Sequence, residues 1–151
     1  MKISQKGLDL LKRFEGIKLK PYLCPAGIAT ISIGCTYYPD GTKVKLTDPP
    51  IGEPKAIEIF KNIIKHYESS VDSFCRDDIN QNQFDALVSL CYNIGVRALK
   101  NSTLIKKVNL DLNDPLIKNE FKKWNKSGGK VLNGLTLRRE EESKLYFNEI
   151  L

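Results

Sequence analysis

The sequence has few metal-binding residues and no long hydrophobic run. His66 is its one histidine, and its four cysteines include no Cys-x-x-Cys pair. The ligand spacing of a zinc site is therefore absent, and we expect neither a metal nor a cofactor. No apolar run approaches the ~18 residues of a membrane span. Polar residues follow Met1 closely, so we expect neither a signal peptide nor a membrane anchor.

The cysteines predict no disulfide framework. Cys24, Cys35, Cys75 and Cys91 are separated by ten, thirty-nine and fifteen residues, a spacing from which no pairing can be derived. Cys75 and Cys91 fall on apolar helical faces, so we interpret them as core residues. We expect all four thiols to stay reduced at a cytosolic site of synthesis.

The composition indicates a folded basic protein. The chain has 151 residues, of which 41% are hydrophobic and 28% charged, so disorder is excluded and one folding unit is expected. The net charge of +6 favours a polyanionic partner, either nucleic acid or the anionic bacterial wall. No helix-turn-helix, zinc-finger or RNA-binding signature accompanies this charge, and an ordinary solvated surface explains it equally well.

The first predicted helix ends in a carboxylic acid, Glu15. The end of a helix disfavours a carboxylate by roughly 0.3–1 kcal/mol, and burial against Phe14 and Tyr22 also favours the protonated form. A protonated carboxyl group is what a general acid requires. The alternative is a solvated Glu15 that pairs with Lys12 or Lys18.

A short β-rich segment is predicted between helices. Residues 21–46 contain β-branched runs and two turn signals, which predict two hairpins or a three-stranded sheet. A long helix follows over 53–77, with a break permitted near Ser69 and Ser70. The other helices are predicted to begin after Ser4, at Asn80, at Asn101–Ser102, at Asp114–Pro115 and near Asn133, with a turn at Gly128–Gly129.

The spacing of Glu15, Cys24 and Thr30 resembles the Glu/Asp/Thr triad of the phage-type lysozymes, glycoside hydrolase family 24. Eight residues separate the first two, and five separate the last two. Further blocks resemble the same family in the same order, at 83–90, 93–95, 101–104, 124–125, 128–132 and 134–139. Together they cover nearly the whole chain.

This resemblance implies an α+β, mostly helical, two-lobe lysozyme-like fold in a single domain, 1–151. The small β-containing lobe is expected at about 14–55 and the linking helix at about 53–77. The helical lobe is expected at about 78–151, together with the first helix. A cleft between the lobes is expected to bind peptidoglycan.

The resemblance also implies roles for individual residues. Glu15 matches the proton donor, Cys24 stands at the aspartate position and Thr30 matches the third member of the triad. Positions that line the saccharide cleft in the family are matched by Thr36, Tyr92 and Ser102. The chain departs from the family pattern at three positions: Cys24 replaces an aspartate, Ser32 replaces a glycine and Cys35 replaces a histidine. The change at Cys35 removes a charge pair that would brace the small lobe.

Two arginines of the last predicted helix, Arg138 and Arg139, also match the family. The resemblance places them near the cleft, where one of them would orient Glu15 or the substrate. A solvated helix face is the alternative.

The function implied is that of a muramidase, which hydrolyses the β-1,4 bond between N-acetylmuramic acid and N-acetylglucosamine in peptidoglycan and lyses the host cell. Such an endolysin is expected to be a monomer in the host bacterial cytoplasm. It would reach the wall after a separate membrane-permeabilising protein acts. Because a thiol replaces the aspartate, the alternative is a catalytically impaired peptidoglycan-binding or regulatory protein. A nucleic-acid-binding protein is a third hypothesis, supported by charge alone.

Overall fold

The computed structural model describes residues 1–149 and is mostly helical, as predicted. Its elements in chain order are α1 (Gln5–Glu15), β1 (Lys18–Leu23), β2 (Ala29–Ser32), α2 (Glu53–Phe74), α3 (Gln81–Ile94), α4 (Val96–Lys100), α5 (Thr103–Leu110), α6 (Ile117–Lys122), β3 (Lys126–Ser127), β4 (Lys130–Val131) and α7 (Asn133–Tyr146). Among these helices, none is long and apolar enough to cross a membrane.

The chain divides into two compact units. The first, here called the β unit, is Leu8–His66. The second, the helical unit, consists of Met1–Gly7 and the chain from Tyr67 onward. The division falls inside α2, so this helix contributes residues to both units.

The β unit contains a two-stranded antiparallel sheet. Strands β1 and β2 pair Tyr22 with Thr30 and Leu23 with Ala29, and the register shifts between Lys18 and Tyr22. The expectation of two full hairpins or a third strand is wrong, because the following segment forms only the isolated bridges Ile31↔Cys35 and Tyr37↔Lys43.

Side chains explain why this following segment stays irregular. The carboxylate of Asp40 accepts the backbone N–H of Thr42 at 2.9 Å, and that of Asp48 accepts the backbone N–H of Lys45 at 2.8 Å. Backbone donors that a strand ladder would use are therefore bonded locally instead.

Helix α2 is continuous. It passes through Ser69 and Ser70 without the break that the sequence permitted, and it ends at Phe74, three residues before the predicted end. The side-chain amide of Asn109 explains the early end, because it donates to the carbonyl of Phe74 at 2.9 Å and accepts from the backbone N–H of Arg76 at 2.9 Å. These bonds satisfy backbone groups at the helix terminus.

Helix α3 forms the core of the helical unit and packs against α4 and α7. Its predicted capping box is confirmed: Asn80 and Gln83 exchange side chain-to-backbone hydrogen bonds of 2.8 and 2.9 Å. Its residues from Gln83 to Cys91 are buried. Cys75 and Cys91 are buried as predicted, and all four cysteines are free thiols.

Among the remaining elements of the helical unit, some boundaries match the sequence prediction and others differ from it. The N-cap of α5 is Ser102, as predicted. Helix α6 begins at Ile117 rather than at Pro115, because the carboxylate of Asp114 accepts from Leu116 N at 2.9 Å and holds a turn there. The predicted turn at Gly128 is confirmed, but the short β3–β4 hairpin around it was not predicted.

Candidate active site

Glu15 is the last residue of α1 and is partly buried. The helix stops there because Gly16 adopts φ +75° and donates its N–H to the carbonyl of Lys12 at 2.9 Å, which is the left-handed helix end that a glycine permits. The ammonium group of Lys12 forms an ion pair of 3.0 Å with Glu53. Lys12, one of the two partners suggested for Glu15, therefore has a carboxylate partner on α2.

Cys24 lies in the tight loop that joins β1 to β2. Its N–H donates to the carbonyl of Ile28 at 3.0 Å, and its carbonyl accepts from Gly27 N at 2.8 Å. Gly27 has φ +78°, so the loop requires a residue without a side chain at this position. The loop holds the Cys24 side chain partly exposed to solvent.

The surroundings of Cys24 favour the thiolate. Hydrogen bonding from the backbone at Ile28 is the largest effect and lowers the pKa of the thiol. Desolvation comes second and opposes it, and weaker hydrogen bonds from the backbone at Ala26 and from the Thr30 side chain lower the pKa further. The lowering of this pKa therefore comes from hydrogen bonds.

Thr30 lies on β2 and is 3% exposed. Its hydroxyl group donates to the carbonyl of Ile28 at 2.8 Å, and it is also within hydrogen-bonding reach of Cys24. Cys24 in the loop and Thr30 on the strand that follows it are therefore neighbours in space.

Tyr22 connects this pair with Glu15. Burial is the largest effect that raises the pKa of its phenol, and the negative charges of Cys24, Glu15 and Cys35 raise it further, in that order. All three groups are therefore close enough to act on the ring electrostatically. The sequence indicated Tyr22 only as a residue that would bury Glu15. Its place two residues before Cys24 in the chain was the available signal.

The three predicted saccharide contacts lie on different segments. Thr36 is partly exposed in the β unit, and its carbonyl accepts from Val44 N at 3.0 Å. Tyr92 and Ser102 belong to the helical unit, where the Tyr92 ring contacts the Tyr67 ring edge-on at 5.0 Å between centroids.

Ser102 caps a helix and also borders a surface pocket. Its hydroxyl donates to Leu99 O at 2.6 Å and accepts from Ile105 N at 3.2 Å, which caps α5. It also borders a surface pocket of about 840 Å³ in the helical unit, together with Arg97, Asn101 and Trp124.

Two departures from the family pattern have structural explanations. Ser32 has φ +62°, a backbone conformation that favours glycine, and its hydroxyl donates to Ala56 O on α2 at 2.6 Å. Cys35 is 1% exposed, and its thiol donates to Ile33 O at 3.7 Å. A buried thiol bonded to the backbone therefore occupies the position at which the family pattern has a histidine.

Arg138 and Arg139 are buried, so the solvated-face alternative is wrong for both. Each forms an ion pair with the fully buried Glu142, at 3.2 Å from Arg138 Nε and 2.7 Å from Arg139 Nε. Ser89 Oγ also donates to Glu142, at 2.5 Å. Burial raises the pKa of Glu142, and the two guanidinium charges oppose that effect. Within the helical unit, these arginines neutralise a buried carboxylate.

Comparisons with known proteins identify the family of the chain. The sequence model of the phage lysozyme family matches residues 12–142. An endolysin of Salmonella phage P22 is 38% identical over 148 residues, which cover 98% of this chain and 99% of that protein. The structure of an endolysin from Escherichia coli O157:H7 phage FAHEc1 superposes with a TM-score of 0.90 at 36% identity, covering 99% of this chain and 96% of that one.

A further relative is longer. An endolysin of Bacillus phage B103 is 43% identical over 146 residues, which cover 97% of this chain but 54% of that protein, so the chain spans about half the length of this relative. The match of the family model to most of the chain, the identity to endolysins and the shared fold lead to one conclusion. This chain belongs to the phage lysozyme family.

Proposed function

We propose that the protein is a muramidase that cleaves the β-1,4 bond between N-acetylmuramic acid and N-acetylglucosamine in bacterial peptidoglycan. The observation that carries the proposal is the neighbourhood of Glu15, Cys24 and Thr30 within the β unit of a phage lysozyme family member. Glycoside hydrolysis needs one group that protonates the leaving oxygen and a second that activates water or attacks the anomeric carbon.

Glu15 supplies the proton in this proposal. It is a partly buried carboxyl group at the C-terminal end of α1. It shares its neighbourhood with Cys24, since both act on the Tyr22 phenol.

Cys24 supplies the second group as a thiolate. An unperturbed thiol has a pKa of about 8.5, so only a few per cent is ionised at pH 7. The hydrogen bonds from the loop backbone and from Thr30 lower that pKa and increase the reactive fraction. In one route the thiolate attacks the anomeric carbon while Glu15 protonates the leaving oxygen, and water then hydrolyses the glycosyl–sulfur bond, with net retention of configuration. In the other route the thiolate accepts a proton from the water that attacks the anomeric carbon, which inverts the configuration. Proton NMR of the first product distinguishes the two routes.

Thr36, Tyr92 and Ser102 are proposed as saccharide contacts. Thr36 and Tyr92 are partly exposed, and Tyr92 offers an aromatic ring, whose polar end and apolar face suit a sugar. Because the Ser102 hydroxyl already makes two hydrogen bonds, Ser102 contributes the wall of the pocket that it borders.

The cellular setting is proposed from the same relatives, which are endolysins. In this proposal the protein is a monomer in the cytoplasm of the host, and a separate protein opens the membrane before it meets the wall. Expression in a bacterial host with and without a membrane-permeabilising protein tests this, since lysis is expected only when both proteins are made.

Product analysis tests the activity directly. Purified peptidoglycan is digested, the products are reduced with borohydride, and the reduced sugar is identified by mass spectrometry. A muramidase leaves a reducing N-acetylmuramic acid, so reduced muramic acid is expected. Reduced glucosamine alone, or no product beyond that of the Glu15→Gln variant, would overturn the proposal.

A further inference from the structure

Tyr22 is placed to meet the substrate of the proposed reaction. It lies on β1 directly opposite Thr30 of β2, and Cys24 follows it by two residues, just beyond the end of β1. Directly opposed residues on antiparallel strands have Cβ atoms about 4.5–5.5 Å apart on one face of the sheet. The register therefore places Tyr22 on the face of the hairpin that carries Thr30, and the charge of Cys24 acts on its phenol.

The hydroxyl of Tyr22 is not used by the protein itself. Within residues 1–149 it makes no hydrogen bond, although the side chain is partly buried. Tyrosine hydroxyls that lose solvent usually gain a hydrogen-bond partner. Tyr38 in the same unit shows the ordinary arrangement, because its hydroxyl donates to Asp48 at 2.7 Å.

We propose that the Tyr22 hydroxyl donates a hydrogen bond to an oxygen of the saccharide held between Glu15 and Cys24. This inference rests on the proposed muramidase activity and adds a substrate-binding residue to it. The donor is a neutral phenol, and the acceptor is a hydroxyl or acetamido oxygen of the sugar whose glycosidic bond is cleaved.

The electrostatic setting keeps the phenol in the donor form. Burial and the neighbouring charges of Cys24 and Glu15 raise the pKa of Tyr22 above its ordinary value of 10.0. The proton therefore stays on the phenol throughout the neutral range. A phenolate at this position would repel the thiolate, whereas a neutral hydroxyl is compatible with it.

The Tyr22→Phe variant removes only the hydroxyl group. We expect kcat/KM on soluble peptidoglycan fragments to fall about tenfold, which corresponds to the ~1.4 kcal/mol of one neutral hydrogen bond. The matched control is Tyr37→Phe in the same unit, where the side chain is 46% exposed, and its kcat/KM is expected to stay within twofold of the parent value.

Thiol labelling separates substrate contact from a structural effect. The rate at which iodoacetamide labels Cys24, measured from pH 6 to 10, is expected to be the same in the parent and in Tyr22→Phe, because no hydrogen bond joins the phenol to the sulfur. The thermal midpoint is also expected to be unchanged. A parallel change in labelling, midpoint and kcat/KM would assign Tyr22 a structural role and overturn the proposal.

A binding measurement keeps this inference distinct from the proposed function. Calorimetry of Glu15→Gln and of the double variant Glu15→Gln/Tyr22→Phe with a peptidoglycan tetrasaccharide gives the two values of Kd. We expect the second value to be about tenfold larger. If the parent protein cleaves nothing, the proposed activity fails while this comparison still decides the role of Tyr22. Equal values of Kd would overturn the inference even for an active enzyme.

Discussion

The hydroxyl of Thr30 and the sulfur of Cys24 form a coupled pair. The hydroxyl has one proton, which it donates to the carbonyl of Ile28 at 2.8 Å, and the same side chain lowers the pKa of Cys24 by hydrogen bonding to the thiolate. We therefore expect the proton to turn from the carbonyl to the sulfur when the thiol ionises. The pair links the protonation state of Cys24 to the rotation of one hydroxyl.

Thr30→Val tests this coupling. The valine keeps the shape of the side chain and removes the donor, so the pKa of Cys24 is expected to rise and thiolate formation to move to higher pH. The pH profile of iodoacetamide labelling, followed by mass spectrometry of the Cys24 peptide, measures the shift. Thr42→Val, at an exposed threonine in the same unit, is the control. Identical profiles for Thr30→Val and the parent would disprove the coupling.

Glu15→Gln is expected to lower the rate of wall lysis by about 10²-fold or more, the contribution of a general acid. The amide keeps the size of the side chain but has no acidic proton. Turbidity loss of a peptidoglycan suspension gives the rate, and circular dichroism verifies the fold. Glu58→Gln, at an exposed carboxylate of α2, is expected to lyse at the parent rate. Full lysis by Glu15→Gln would end the assignment of Glu15 as the acid.

Local sequence signals predicted the features that depend on adjacent residues. The capping box of Asn80 and Gln83, the N-cap Ser102 and the helix end at Glu15–Gly16 all depend on hydrogen bonds between residues no more than four positions apart. The extent of the sheet was predicted wrongly, because the choice between strand pairing and local bonds to Asp40 and Asp48 depends on where a chain returns in space.

At the candidate site, too, some features could be predicted from the sequence and others depend on the folded structure. The spacing of Glu15, Cys24 and Thr30 is visible in the sequence. The origin of the lowered Cys24 pKa is not, since it depends on backbone hydrogen bonds in a loop. The contribution of Tyr22 depends on strand register, which the sequence left open.

Ser32 provides a prediction about stability. Its positive φ strains any residue except glycine, and its hydroxyl bond to Ala56 O compensates. Ser32→Ala keeps the strain and loses the bond, so the free energy of unfolding is expected to fall by about 1 kcal/mol or more. Ser32→Gly loses the same bond but relieves the strain, so it is expected to be the more stable of the two variants. Urea unfolding measures both, and an alanine variant equal to the glycine variant would contradict this explanation.

The buried pair of Arg139 and Glu142 predicts a strongly non-additive result. Arg139→Met removes one of the two positive charges that compensate the buried carboxylate of Glu142. Removing one partner of a buried ion pair lowers the free energy of unfolding by about 3–5 kcal/mol. Adding Glu142→Gln removes the uncompensated charge, so the double variant is expected to be more stable than Arg139→Met alone. Thermal and urea unfolding measure the difference. Additive losses would show that the ion pair is not the main contribution of Arg139.

Variants of Cys24 decide whether the thiol performs chemistry. Cys24→Asp introduces the carboxylate of the family pattern into a loop that already positions the side chain, so it is expected to remain active. Cys24→Ser is expected to be nearly inactive, because a hydroxyl group is a far weaker base and nucleophile than a thiolate. Peptidoglycan turbidity and product analysis measure the activity of both.

Alkylation of Cys24 provides the complementary test. In a variant whose other three cysteines are replaced, iodoacetamide is expected to abolish lysis, and peptidoglycan fragments are expected to slow the labelling. Wild-type lysis by both Cys24→Ser and the alkylated protein would make Cys24 a packing residue and leave the second catalytic task to water held by Thr30. If the parent is inert and Cys24→Asp alone cleaves peptidoglycan, the thiol has replaced a catalytic carboxylate without replacing its chemistry, and the natural protein binds the wall without hydrolysing it.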